Sequence, residues 1–403
     1  MKSATVTWIK YNNYGTQLQA FALQQYIMSL GVENTIISDD CILSELLKGY
    51  IERSKEFAQP QKSTDVNLNQ NRMKTILKNY LLNPKSWFSL CKLSFISLRY
   101  RLNKIRRKRS AYVKSQDKFA EFKKDKLKLL YNTTLKDVSL LNEKFDVFLC
   151  GSDQIWSPLD CNFYGYYYLD FATKKKFSYA TSIGTTNIKD NKIETIKNWT
   201  NEYYAVSVRE SQSAEQLSEV LDRDVKWVLD PTLLLDKSFW NDQRKDYPVR
   251  KKFVVCYFLE DREWYLSYAK ALSKYLGVGL YIIPSLQEYA LSRYSFKRGI
   301  GPQEFIDVIA KAEFVLTDSY HASIFSVIFE KNFLYLKRFK DNNPQSQNIR
   351  IYSLFNLLNI NDVIVEEKLF EKHDIVDLDY VRINQILDER RSFSQDYLKG
   401  CLL

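Results

Sequence analysis

The residues able to do chemistry fall in four short stretches. The stretch "AEFVLTDSYHASIFSVIFE", residues 312–330, holds His321, one of only two histidines in the 403-residue chain. It sits where an apolar strand pattern gives way to a helical one. The first turn of a helix offers unpaired N–H groups and a partial positive charge, a setting for phosphate or carboxylate. His321 there is a candidate acid/base group beside a bound anion, or a packed and hydrogen-bonded helix residue. Asp318 is close enough in sequence to orient the imidazole and equally suited to cap the helix, with Ser319 between them. In "VSVRESQSAEQL", Arg209 and Glu210 end another strand, where the guanidinium suits two-point binding of a carboxylate or phosphate, or an ordinary ion pair. "CGSDQIWSP" places Gly151, Ser152 and Asp153 at a strand end. Glycine lets backbone approach a ligand, serine donates, and the carboxylate accepts hydroxyl protons; an Asx turn is the plainer reading. "NNYGTQLQAFAL" adds Asn13, Tyr14 and Gly15, but its lone glycine is not the GxGxxG of a dinucleotide site.

The elements that must position these groups alternate along the chain. "ATVTWIK" predicts a strand, "LQAFALQQYIMSLG" a helix and "NTIIS" a second strand, the opening of a parallel α/β unit. "FDVFLC", "KFSYATSIGT", "YYAVSVRE" and "VKWVLDPTLLL" are further short strands. A second series starts at 253 with "FVVCYFL", a helix over 262–275, "LYIIPS", a helix over 302–311, "EFVLTDSYH", a helix over 322–330 and "NFLYLKR". The pattern predicts two Rossmann-like domains: residues 1–240, carrying a basic, mostly helical insert at about 41–130, and residues 241–376. A polar joint is expected near 236–252. The last segment, 377–403, is expected to be a helix packing back on the first domain. In parallel sheets ligands sit beyond the carboxyl ends of the strands, where all four chemical stretches lie. The tyrosine run "FYGYYYLDF" is read as packing in preference to sugar stacking.

Bulk composition narrows the classes. Apolar residues make up 45% and charged ones 27%, a globular composition, and no apolar run reaches the roughly 20 residues of a membrane span. The N-terminus has no apolar stretch of the kind that marks a signal peptide. Six scattered cysteines form no CxxC pair, and two histidines make a zinc or iron site unexpected. The expectation is a cytoplasmic protein with free thiols, no metal and no cofactor. The net charge of +11 is local: residues 71–130 carry 18 Lys+Arg against three acids, leaving the remainder mildly acidic. Seven of these cations lie between residues 99 and 109. A solvated helical face or peripheral contact of 85–110 with anionic lipid at the inner membrane face fits this segment. Nucleic acid fits poorly, since no nucleic-acid module accompanies the charge.

Six stretches in order, "NNYGTQLQAFALQQYI", "DVFLCGSDQIWSP", "SYATSIG", "SVRE", "VLDPTLLL" and "FVLTDSYHASIFSVIFEKNF", resemble the polysaccharide pyruvyl transferase family from about residue 12 to about 350. The resemblance implies two Rossmann-like domains in a GT-B-like arrangement. It implies transfer of pyruvate from phosphoenolpyruvate, as donor substrate, to hydroxyls of a surface glycan or its lipid-linked precursor, forming a ketal. It assigns His321 as the active-site histidine and Arg209 as a donor-binding arginine; from the chemistry of the reaction, Asp153 is expected to align or deprotonate an acceptor hydroxyl. Many members carry an arginine where Ser319 stands here, so Arg350, or Lys337 and Arg338, is expected to supply that cation. A nucleotide-sugar glycosyltransferase, or a catalytically silent relative that scaffolds or binds, are the alternatives.

Overall fold

The computed structural model describes residues 1–46, 111–158, 164–185, 188, 190–249, 251–285, 289 and 292–403. The basic stretch at 85–110 therefore lies outside the described residues. Two parallel five-stranded sheets organise the chain. The first holds β1 (Lys2–Val6), β2 (Glu33–Ile37), β3 (Leu129–Leu130), β4 (Val147–Cys150) and β5 (Lys175–Ser178) in the order β3-β2-β1-β4-β5. A parallel pair, β6 (Val206–Val208) and β7 (Val225–Trp227), continues it. The join is made by Ser178 N–H donating to the Ala205 carbonyl and Arg209 N–H to that of Thr181. The second sheet holds β8 (Phe253–Tyr257), β9 (Gly279–Ile282), β10 (Phe314–Thr317), β11 (Phe333–Leu336) and β12 (Ile364–Val365) in the order β12-β11-β10-β8-β9. Both are doubly wound, and each reverses its strand order beside its first strand, where such sheets bind ligands.

Strands β4, β8, β10 and β11 are buried at every residue, as expected where helices cover both faces. Helix α1 (Tyr14–Ser29) is capped by the Asn13 side chain, which accepts from Thr16 N–H at 3.2 Å. It is buried almost all round because it lies between the two sheets. Two of its buried glutamines, Gln19 and Gln24, are satisfied by neighbouring loops. Gln24 donates to the Lys128 carbonyl at 3.1 Å and accepts from Lys128 N–H at 2.9 Å, and Gln19 accepts from Ser152 N–H at 3.2 Å. These bonds remove the penalty of burying an amide.

Two expectations about organisation change, and the expected packing of the tyrosine run holds. Helix α2 (Ala111–Lys126) and β3 belong to the fold and not to an appendage: Phe119 and Phe122 join the core, and Leu129–Leu130 pair with Ile36–Ile37. The polar joint near 236–252 contains α5 (Lys237–Gln243), following α3 (Asp190–Thr200) and α4 (Ser211–Leu221). Asp236 caps α5, accepting from Phe239 N–H at 2.8 Å, and Trp240 is wholly buried against Phe21 and Phe325. Tyr166, Tyr167 and Tyr168 pack inside the first sheet's core.

The second sheet is followed along the chain by α6 (Glu263–Leu276), α7 (Pro302–Lys311), α8 (Tyr320–Ile328), α9 (Ile349–Leu358) and α10 (Tyr380–Leu402). Helix α10 crosses between the sheets. Ile383 and Leu387 join the core of the second, while Leu398, Cys401 and Leu402 pack with Leu23, Ile27, Leu149 and Phe177 of the first. Arg391 and Gln395 donate to the Leu233 and Leu234 carbonyls at 2.9 and 3.1 Å. Leu398 has no exposed surface, so Leu398→Ala is expected to cost about 2–5 kcal/mol. Urea unfolding followed by tryptophan fluorescence checks this; a cost under about 1 kcal/mol, the value of a tolerated core swap, would mean that α10 is not a structural tie.

Candidate active site

A cavity of about 150 Å3 opens where the carboxyl ends of the two sheets meet. Each wall residue follows a strand or opens a helix. Trp8 follows β1, Asn13 and Thr16 open α1, and Asp153 follows β4; Ser319, Tyr320 and His321 open α8, and Arg338 follows β11. Arg350, from the first turn of α9, completes the wall.

His321 is nearly buried and lies directly over Gly15. A β-carbon at position 15 would fall 2.1 Å from the His321 Nδ1, so only glycine admits the ring there. The starts of α1 and α8 thereby meet at the cavity, and both present amide groups to it. Neither expected role of Asp318 holds. Its carboxylate accepts from Leu259 N–H at 2.7 Å and Glu260 N–H at 3.2 Å, closing the second sheet's switch point between β8 and β10. Ser319 takes the cap, accepting from Ala322 N–H at 3.5 Å. The carboxylate that faces the imidazole is Asp230, with Oδ2 3.5 Å from His321 Nε2. Asp230 was not singled out from sequence, although "VLDPTLLL" carries a signal: an aspartate before proline after a strand favours a capped turn. Asp230 does cap that turn, its Oδ1 accepting from Thr232 N–H at 3.0 Å, while its Oδ2 is shared by Arg209 and the histidine.

Arg209 lies behind the cavity wall and not in it. Its guanidinium has no exposed surface and is surrounded by carboxylates from three strand ends: Asp230 at 2.9 Å, Glu210 at 3.4 Å and Asp153 at 3.7 Å. Its fourth neighbour is the Tyr320 ring, 4.7 Å away. A cation so engaged positions carboxylates; it has little charge left for a donor. Burial would raise the Asp230 pKa, but His321 and Arg209 outweigh it and hold the carboxyl well below its usual range. For Glu210 burial wins over Arg209 and its pKa rises. Asp153, in the left-handed region at φ 72°, accepts from Thr16 Oγ1 at 2.7 Å and faces the cavity.

The cavity's own cations are Arg338 and Arg350. Arg350 donates to Gln347 Oε1 at 2.7 Å and has no carboxylate within ion-pair distance among the described residues. Burial, then the nearby Arg209 and Arg338, lower its pKa to about 10. An anion in the cavity would relieve that repulsion. Lys337 does not contribute, being paired with Asp341 and Glu366, both at 2.7 Å.

Of the other sequence candidates, Asn13 lines the cavity as the α1 cap. Tyr14 is a core residue: its ring stacks on Phe305 at 4.4 Å and its hydroxyl donates to the Ile300 carbonyl at 3.0 Å. Ser152 is also buried, donating to the Ala180 carbonyl at 2.7 Å. Gly151 is required by packing, since a β-carbon there would fall 2.0 Å from the Tyr179 carbonyl oxygen. Among the described residues, the group with metal-ligand spacing is Glu371, His373 and Asp374, away from this cavity; Lys368 and the Tyr268 hydroxyl already engage Asp374.

Two doubly wound domains joined by a crossing C-terminal helix, with the site between the carboxyl ends of their sheets, define the GT-B-like class of α/β enzymes. The chain belongs to the polysaccharide pyruvyl transferase family, whose family model matches residues 13–338. No curated protein matches it significantly. Solved structures similar to it include a UDP-GlcNAc 2-epimerase from Neisseria meningitidis bound to UDP-GlcNAc, at 10% identity and TM-score 0.42, covering 98% of this chain and 94% of that one. A glycosyltransferase from Rickettsia africae is 11% identical with TM-score 0.41, covering 100% and 93%. The E. coli heptosyltransferase WaaC with ADP is 10% identical with TM-score 0.39, covering 97% and 100%.

Burial raises the Asp318 pKa to about 7, against about 3.9 in an unfolded chain. Between these values the folded protein holds a proton that the unfolded chain has lost. Asp318 therefore contributes stability below about pH 4 that is lost as pH rises to about 7, on the order of 4 kcal/mol at about 1.4 kcal/mol per unit. Asp39, raised to about 6 by burial, adds a term of the same sign. Urea midpoints measured from pH 4.5 to 7.5 should fall less steeply for Asp318→Asn than for the native chain; parallel slopes would contradict a proton shared with folding.

Proposed function

We propose that the protein transfers pyruvate from phosphoenolpyruvate to hydroxyls of a glycan or its lipid-linked precursor. The observation that carries this reading is the pair of guanidiniums, Arg338 and Arg350, facing two helix starts and the His321–Asp230 pair across one small cavity. Its volume of about 150 Å3 is below the roughly 300–1,000 Å3 of drug-sized sites and suits a compact dianion. Phosphoenolpyruvate carries a carboxylate and a phosphate, and here the two arginines and the helix starts are the groups that would receive them.

The reaction needs a proton delivered to the methylene carbon, which turns C2 into an electrophile. A sugar hydroxyl oxygen attacks C2 and gives up its proton, and the C2–O bond to phosphate breaks. A second hydroxyl then adds to C2 and gives its proton to the departing phosphate, closing the cyclic ketal, so one donor and one diol yield one ketal and one hydrogen phosphate. His321 is the group we assign to proton transfer, with buried Asp230 facing its Nε2 at 3.5 Å and orienting the ring. Asp153, within reach of the cavity and held by Thr16, is assigned to the acceptor hydroxyl. Arg209 acts through these carboxylates as a positioning residue. The chemistry asks for no metal or cofactor. We place the reaction in the cytoplasm as part of this proposal; no helix among the described residues is long and apolar enough to cross a membrane.

Phosphoenolpyruvate at about 100 times its dissociation constant should stabilise the native chain by roughly 2.7 kcal/mol, seen as a rise in Tm. Arg350→Ala should lose that rise. His321→Ala should keep it while turnover falls by about 10²–10⁴-fold. A Tm response to UDP- or GDP-sugars with none to phosphoenolpyruvate would favour a glycosyltransferase, and silence to both a non-catalytic relative.

The basic stretch at 85–110 is proposed to rest on anionic lipid, near a lipid-linked acceptor. Flotation should then be stronger on vesicles with about 30% anionic lipid than on neutral ones, and weaken as salt shortens the Debye length below about 8 Å. Equal flotation on both vesicle types would remove the membrane from the reading.

A further inference from the structure

The segment 346–350 has two faces. Gln347 and Arg350 line the cavity described above, while Asn348 and Ile349 line a second one of about 410 Å3. The two cavities are thus neighbours separated by one turn of chain. The second is walled by Asp341, Asn342, Asn343 and Tyr352 from the second sheet's side and by Gln212 from the first. Its chemistry is different. Where the first cavity presents two guanidiniums, this one has Asp341 as the single charged side chain among its described lining residues.

Asn348 gives the more specific clue. It is 4% exposed, and its Nδ2 donates to the Phe339 carbonyl at 2.8 Å and to Asp341 Oδ1 at 3.0 Å. Both partners can only accept, so the amide cannot be turned over. That leaves Asn348 Oδ1 buried at the cavity wall with no hydrogen-bond partner. A buried acceptor without a donor is costly, and a ligand hydroxyl would satisfy it. Asp341 is a second acceptor: its Lys337 bond, with Tyr352 and Asn348, holds its pKa down at about 2 against the effect of burial, so it remains a carboxylate. Amides on the exposed Asn342 and Gln212 supply both donors and acceptors around the rim.

We infer that this second cavity is the acceptor subsite and that it takes a neutral, hydroxyl-rich sugar residue. An acidic sugar or a nucleotide diphosphate would meet the Asp341 carboxylate with no lining cation to offset it. The identification as acceptor rests on the pyruvyl transfer reading; the sugar preference rests on the cavity alone.

Saturation-transfer NMR on the full chain separates the two. The probes are methyl glycosides of glucose, galactose, mannose and N-acetylglucosamine, with methyl hexuronides and UDP as competitors. Neutral glycosides should receive saturation, hexuronides and UDP should not displace them, and the Gln212→Ala/Asn342→Ala double variant should weaken binding by about tenfold. Both side chains are exposed, so that variant should fold normally, and its Tm response to phosphoenolpyruvate should be unchanged. Asn348→Ala should weaken the sugar further. No saturation for any neutral glycoside, equal binding by the double variant, or preference for hexuronides or UDP would overturn the inference. Sugar binding that follows these variants in a protein indifferent to phosphoenolpyruvate would keep the subsite and reject the donor.

Discussion

A single buried guanidinium holds the site together. Arg209 gathers Asp153, Glu210 and Asp230 from the ends of β4, β6 and β7, three segments far apart in sequence. Like charges at this spacing in a low-dielectric interior would repel strongly without it. Removing one partner of such a cluster typically costs about 3–5 kcal/mol, because the remaining charges stay buried and unpaired. Through Asp230 the cluster reaches His321 on the opposite sheet, its Oδ2 3.5 Å from the imidazole Nε2, so a carboxylate fixed in one domain faces a group carried by the other.

Packing makes that reach possible. Helix α1 lies between the sheets, and its second residue is the glycine on which His321 rests. Asp318 fixes the neighbouring backbone by closing the β8–β10 switch point, while Ser319 caps α8. The imidazole is therefore located by a close approach on one face and a carboxylate on its edge. Rigid elements supply every contact, which suits a site that must hold reacting atoms within a fraction of an ångström.

Charge divides the cleft into two regions. Arg338 and Arg350 make the small cavity a place for an anion, and the half-buried Arg350 is charged at a cost until one arrives. Beyond the turn at 346–350 the lining becomes amides and one carboxylate. A donor rich in negative charge and an acceptor rich in hydroxyls would thus be sorted by electrostatics and hydrogen bonding before any chemistry occurs.

Sequence alone was informative where local physics governs. The alternation of short β-branched runs with amphipathic stretches is a property of neighbouring residues, and it placed the longer strands of both series and the helices at 302–311 and 380–402 to within a few residues, missing the two-residue β3 and β12. The strand-end rule then drew attention to Asn13, Asp153, Ser319 and His321, and the family resemblance to Arg350, all of which line one cavity. Pairing across sequence was illegible. Asp230 reads as a turn residue, and only the fold brings its second oxygen to His321. Arg209 reads as an exposed clamp, because a strand-end arginine carries no sign of the three carboxylates that will enclose it. Tyr14 sits in the same motif as Asn13, yet one residue further along α1 turns it from the cavity into the core. Composition and periodicity determined which elements form and which ends face the cleft; the tertiary structure decided which charges are spent on one another and which remain for a ligand, since that depends on distances and burial that no local pattern encodes.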